Sequence, residues 1–246
     1  NPKCALSPID HQATEPRELC AMLPVMAADE AKTVMAVVTG DAGFGDALVR
    51  ALDRRSRATA VRFEALDDAA SLVDALDAVA DVSALVHVCG DDAALESRPL
   101  GSTDPAAWDA GCELVLRRSL ASLQAAHAVL SRGRGGRIVI VTATAGVSGA
   151  ARAAPLLAAL EGTRSMAKSA ARQWGEAGIS VNCVAVPLGL LAPSHASCTT
   201  FLPPAALPRD NPLDDVAGAV EFLAGPGAAG VSGATLLVDG GAVMAP

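Results

Sequence analysis

From Val34 onward, short runs of β-branched and small apolar residues alternate with longer stretches whose apolar positions recur three and four residues apart. "VMAVVTG" reads as a buried strand ending in glycine, "DALVRALDRR" as a helix, "ATAVRFEAL" as a strand and "DDAASLVDALDAVA" as a helix opened by acids. "SALVHVCG" is the next strand. "DPAAWDAGCELVLRRSLASLQAAHAVLS" predicts one long helix with Pro105 near its first turn, followed by the strand "GRIVIVTA". Residues 155–174 predict a helix, "ISVNCVAVP" a strand, "PLDDVAGAVEFLAG" a helix and "GATLLVDGG" a closing strand. Strands and helices in alternation imply a parallel sheet covered on both faces and joined by right-handed crossovers. Residues 1–33 show no sustained period; "SPID" and "TEPRE" mark an irregular arm with at most a short element in "ELCAMLPVMA". The expected organisation is an arm over 1–33 and one domain over 34–246, with no internal repeat.

Composition narrows the function classes. Apolar residues make up 51% of the 246, aromatics 2%, tyrosine is absent and the formal charge is −8. Base stacking lacks its aromatic platforms and a polyphosphate would be repelled, so nucleic acid is not an expected partner. The six cysteines form no Cys-x-x-Cys pair and stand at no zinc spacing with histidine, so no metal site is expected and buried thiols are. Five prolines interrupt the uncharged run 181–208, which argues against a membrane span. The mixed polar start does not resemble a signal peptide, and a cytoplasmic location is expected.

Gly40, Gly43 and Gly45 lie between the first strand and the first helix, where small residues let a turn expose helix N-terminal amides to a pyrophosphate. Together with "LVHVCG", "GRIVIVTATAG", "GISVNCVAVPLG" and "SGATLLVDGG", in that order, the turn gives a chain that resembles the short-chain dehydrogenase/reductase family over Val34 to Ala242. The resemblance implies a Rossmann-type doubly wound parallel sheet in a single α/β domain, assembly as a dimer or tetramer, and hydride transfer between a nicotinamide cofactor and a carbonyl or alcohol.

The same resemblance puts Ala143 where the family has its catalytic serine, Leu156 at the tyrosine and Leu160 at the lysine, with Val115 near the relay asparagine. All are inert, and a chain without tyrosine offers no substitute by a small shift of alignment. The polar groups left near the implied cleft are His87, Cys89, Thr142 and Thr144. Thr142 and Thr144 read equally as strand formers bonded to backbone, and His87 and Cys89 as satisfied core groups. Lys168 reads as a surface charge, and His127 and His195 have little to recommend them.

The implied cofactor pocket is altered as well. Only Asp41 and Ala42 stand between Gly40 and Gly43, one residue fewer than the family turn, and Asp41, Asp46, Asp91 and Asp92 bring negative charge to the groove. Gly40, Gly43, Gly45 and Gly90 are therefore read as vestigial cofactor contacts, and no cofactor is expected. The 49 positions from Gly40 to Cys89 fall about one βα unit short of the family pattern. The second strand and its helix are the expected loss, with the arm covering the exposed sheet edge. The reading that follows is a pseudoenzyme: a non-catalytic subunit that assembles with an active family paralogue, or with itself, through the family's helix interface. The alternatives are an atypical NAD(P)H-dependent ketoreductase, a non-redox lyase, isomerase or cyclase reusing the cleft, or an apolar small-molecule binder lined by Leu156, Leu160 and the 188–208 loop.

Overall fold

The computed structural model describes residues 33–40, 43–54, 56–63, 68–90, 96–199, 204–207 and 209–244. The proposed arm, its two cysteines, and Asp41, Asp91 and Asp92 lie outside the described residues.

Six strands form one parallel sheet: β1 (Val34–Thr39), β2 (Arg57–Arg62), β3 (Ala84–Val88), β4 (Gly136–Ala143), β5 (Ile179–Val186) and β6 (Thr235–Leu237), in the order β2-β1-β3-β4-β5-β6. β1, β3 and β5 are buried along their whole lengths, which is why they read as mainly apolar runs, with His87, Ser180 and Asn182 among the buried polar exceptions. The edge strand β2 is mostly exposed. β2 pairs directly with β1, from Val34 opposite Arg57 to Thr39 opposite Arg62, so the place of the second strand is filled. The expected loss of that strand is corrected: the shortage falls beyond β2, and the chain returns from it across the sheet straight to β3. The physical reason is continuity of pairing, since β1 buried on both faces needs a hydrogen-bonding neighbour on each side.

Among the described residues eight α-helices accompany the strands: α1 (Phe44–Asp53), α2 (Ala69–Asp77), α3 (Pro105–Trp108), α4 (Leu114–Leu130), α5 (Ala145–Ser148), α6 (Ala154–Trp174), α7 (Leu188–Leu191) and α8 (Pro212–Ala224). The Asp68 carboxylate caps α2, accepting from the Ala70 and Ser71 amides at 2.8 and 3.0 Å, and these bonds hold its pKa below the usual carboxylate value. α2, α4 and α6 pack in a row on one face, while α1 and α8 pack together on the other. The last crossover therefore runs over the opposite face in the same direction as its predecessor and has the opposite hand, contrary to the uniform right-handed expectation.

The long helix predicted from Pro105 is interrupted by one π-helical turn, Asp109–Glu113, between α3 and α4. Gly111 in that turn sits against the start of α6: a Cβ there would lie 2.8 Å from Pro155 Cβ, so the two helices approach as only glycine allows. Near the C-terminus, Asn182 of β5 donates to the Val231 carbonyl at 2.9 Å and accepts from the Ala234 amide at 3.1 Å, fastening the approach to β6. Asp239 closes the final turn by accepting from the Gly241 and Val243 amides, both at 2.9 Å.

Candidate functional site

The sheet order reverses direction between β1 and β3, which puts a crevice at the carboxyl ends of these strands. Gly43 caps α1 at φ +87° with open space where a Cβ would stand. Gly45 is required for a different reason, since its Cβ would lie 1.7 Å from Thr39 Oγ1. Both features suit a turn that once faced an anion. What crosses the turn is Arg62, the last residue of β2, which donates to the Gly40 carbonyl at 2.9 Å and pairs with Asp46 in the first turn of α1. Phe63 follows, buried, its ring edge-on to His87 at 5.8 Å, with the Arg118 guanidinium of α4 5.2 Å over its centre. Between Gly40, Phe63, His87, Val88, Gly90, Val115 and Arg118 about 10 Å³ remains.

Ala143, Leu156, Leu160 and Val115 all belong to the main hydrophobic core, with Leu156 2% and Leu160 0% exposed. Leu156 and Leu160 stand one turn apart on α6 and share its buried face. Their burial contributes about 1.5 to 3 kcal/mol each. Thr144 donates weakly to the Val186 carbonyl at 3.4 Å, and the buried Thr142 hydroxyl has no hydrogen-bond partner. Lys168 is exposed, and His127 stacks on Trp174 with ring centres 4.7 Å apart.

His87 and Cys89 do not face an open cleft; they sit in a closed polar network with Ser119 and Ser122 of α4 and Thr163 of α6, every member buried. The hydrogens can be assigned around it. The Ser119 hydroxyl donates to the Val115 carbonyl at 2.9 Å and accepts from Thr163 at 3.1 Å, while the Cys89 thiol donates to Thr163 at 3.6 Å. Ser119, having spent its proton, accepts from His87 Nε2 at 2.9 Å, and Ser122 donates to His87 Nδ1 at 3.2 Å. The imidazole is thus a neutral Nε2–H tautomer. Burial lowers its pKa to about 3, and burial likewise pushes the Cys89 thiol up.

The open space lies on the other side of Leu156. A cleft of about 300 Å³ is floored by Ala106, Ala107, Ala110, Gly111, Pro155 and Leu156 and edged by Glu96, Arg98, Asp104 and His195. Arg98 bridges Glu96 at 2.9 Å and Asp104 at 3.2 Å, and Asp104 also caps α3 by accepting from the Ala107 amide at 2.8 Å. His195 is held by Ser194 Oγ, 3.0 Å from Nδ1, and burial lowers its pKa while a hydrogen bond to the Glu96 backbone works in the opposite direction. These four do not stand out as a group in the sequence, because His195 lies about ninety positions from the loop that carries the other three. Asp104 alone carries a signal, as the cap preceding Pro105.

Comparison with known proteins fits this geometry. The family profile described as enoyl-(acyl carrier protein) reductase matches residues 21–243. A cis-4-hydroxycyclohexanecarboxylate dehydrogenase from Sinomonas cyclohexanicum is 36% identical over 220 residues, 84% of this chain and 86% of that one. The chain belongs to the short-chain dehydrogenase/reductase family. A further relative in it, the (2S)-[(R)-hydroxy(phenyl)methyl]succinyl-CoA dehydrogenase subunit BbsD of Thauera aromatica, is 31% identical over 68% of this chain and 67% of its own. Among solved structures, a family oxidoreductase from Burkholderia thailandensis superposes with a TM-score of 0.66 at 28% identity, covering 86% of this chain and 93% of that one. A family member from Mycobacterium ulcerans shares the fold at TM-score 0.68 and 20% identity, over 86% and 90%.

Members of this short-chain dehydrogenase/reductase family usually bind NAD(P). Among the described residues, the space left between Gly40, Phe63, His87 and Arg118 suits at most one water, so no part of that group fits at that point as the side chains stand. Gly45 keeps the close helix–strand packing of such a turn, and Arg62 and Phe63 stand beside it. Among the described residues no three His, Cys, Asp or Glu side chains gather as a metal site, and no helix is long and apolar enough to cross a membrane.

Proposed function

We propose that this chain is a non-catalytic member of the family that serves as a subunit beside an active family dehydrogenase or reductase. The observation that carries the reading is the core placement of Leu156 and Leu160 in a protein without tyrosine: where the family moves a proton, α6 offers hydrocarbon. Two facts support the assembly half of the proposal. The relative from Thauera aromatica is by its name a dehydrogenase subunit. Apolar residues also remain 39–48% exposed on the outer elements, Leu120 on α4, Phe222 on α8 and Leu236 on β6. Co-expression with family paralogues from the same source, followed by size-exclusion chromatography and activity assays, tests it. A hetero-oligomer whose turnover survives any change in this chain's cleft supports the proposal; a homo-oligomer that reduces a carbonyl by itself refutes it.

One observation favours a second reading, an atypical reductase or a non-redox enzyme working in the same cleft. His195, whose pKa burial lowers, stands on the wall of the cleft of about 300 Å³ together with Leu156. Turnover by the isolated chain that is abolished by His195→Gln would establish this reading in place of the first.

A further inference from the structure

We propose that Arg62, Phe63 and Arg118 form a built-in filler of the groove where the family seats its dinucleotide, so that the folded chain excludes NAD(P). The filler is specific. Arg62 leaves the end of β2 and reaches back over the glycine turn, bonding to the Gly40 carbonyl and to Asp46. Its charge is met from within, so a pyrophosphate arriving at the turn would have to break this pair before it gained anything. Phe63, the next residue, lines the crevice with its buried ring and is held on two sides, by the His87 edge and by the Arg118 guanidinium. His87 is itself fixed at both ring nitrogens by Ser119 and Ser122, so the surface under Phe63 cannot turn aside without losing two hydrogen bonds. Arg118, His87 and Phe63 thus make a continuous column from α4 across the strand ends. Between this column, Gly40 and Gly90 the described residues leave space for about one water.

This inference stands apart from the assembly proposal, because nucleotide exclusion and subunit pairing are read by different experiments. Thermal melting and fluorescence titration with NADH and NADPH test it on the full chain. The wild-type protein is expected to show no melting shift and no saturable binding at nucleotide concentrations up to about 1 mM. The double variant Phe63→Ala, Arg118→Ala is expected to bind at least about tenfold tighter than wild type. Arg118→Ala alone, which leaves the buried ring in place, guards against a double variant that fails to fold and is expected to gain a smaller part of that affinity. Micromolar binding by the wild type overturns the proposal. So does a variant that melts cooperatively, keeps its circular dichroism and gains no affinity.

Discussion

His87 allows the buried network to be tested through acid. In the folded protein its pKa is about 3, lowered by burial, whereas in the unfolded chain it is close to the usual 6.5. Below pH 6.5 the unfolded chain takes up a proton that the folded protein refuses, so stability falls as pH falls and is unaffected by this group above pH 7. The loss is about 1.4 kcal/mol at pH 5.5 and about 2.7 kcal/mol at pH 4.5, approaching a limit as pH nears the folded value. Urea unfolding at pH 7.5, 5.5 and 4.5 measures it, with His87→Gln as the comparison because the amide is polar and does not titrate. Carboxylates add their own acid dependence to both proteins, so the difference between the two curves is the quantity to read. Wild type should lose about 1.4 kcal/mol per pH unit more than the variant below pH 6. Parallel curves would mean that the imidazole is protonated or wet in the folded protein, and the hydrogen assignment around Ser119 would be wrong.

Gly45→Ala drives a Cβ into Thr39 and should destabilise by at least about 2 kcal/mol, read by chemical unfolding. Thr142→Val removes the unpartnered buried hydroxyl at nearly constant shape and should stabilise by about 1 kcal/mol, seen as a higher melting temperature. Leu160→Ala leaves a cavity in the core and should cost about 2 to 5 kcal/mol in urea unfolding.

The alternation of buried strands and amphipathic helices was legible in the chain because parallel strands covered on both faces write themselves as short, mainly apolar runs, as β1, β3, β4 and β5 do. Ala143, Leu156 and Leu160 are equally plain as residue identities, and the structure adds that all three lie in the buried core. Other features were set only by how the pieces meet. Which strand lies beside β1 depends on pairing across the sheet, so a shortage counted along the chain was assigned to the second strand when that strand is in place. His87 and Cys89 carry the same letters whether they face a ligand or a core. Ser119, Ser122 and Thr163, at least 30 positions away from both, close the network around them. The cleft beside Leu156 joins Glu96 and Asp104 of one loop to Leu156 and the distant His195, and the crevice at the strand ends joins Arg62 and Phe63 to Arg118 in the same way. Backbone periodicity is written in neighbouring residues, whereas a side chain's solvent, partners and charge state are written by whatever the fold brings against it.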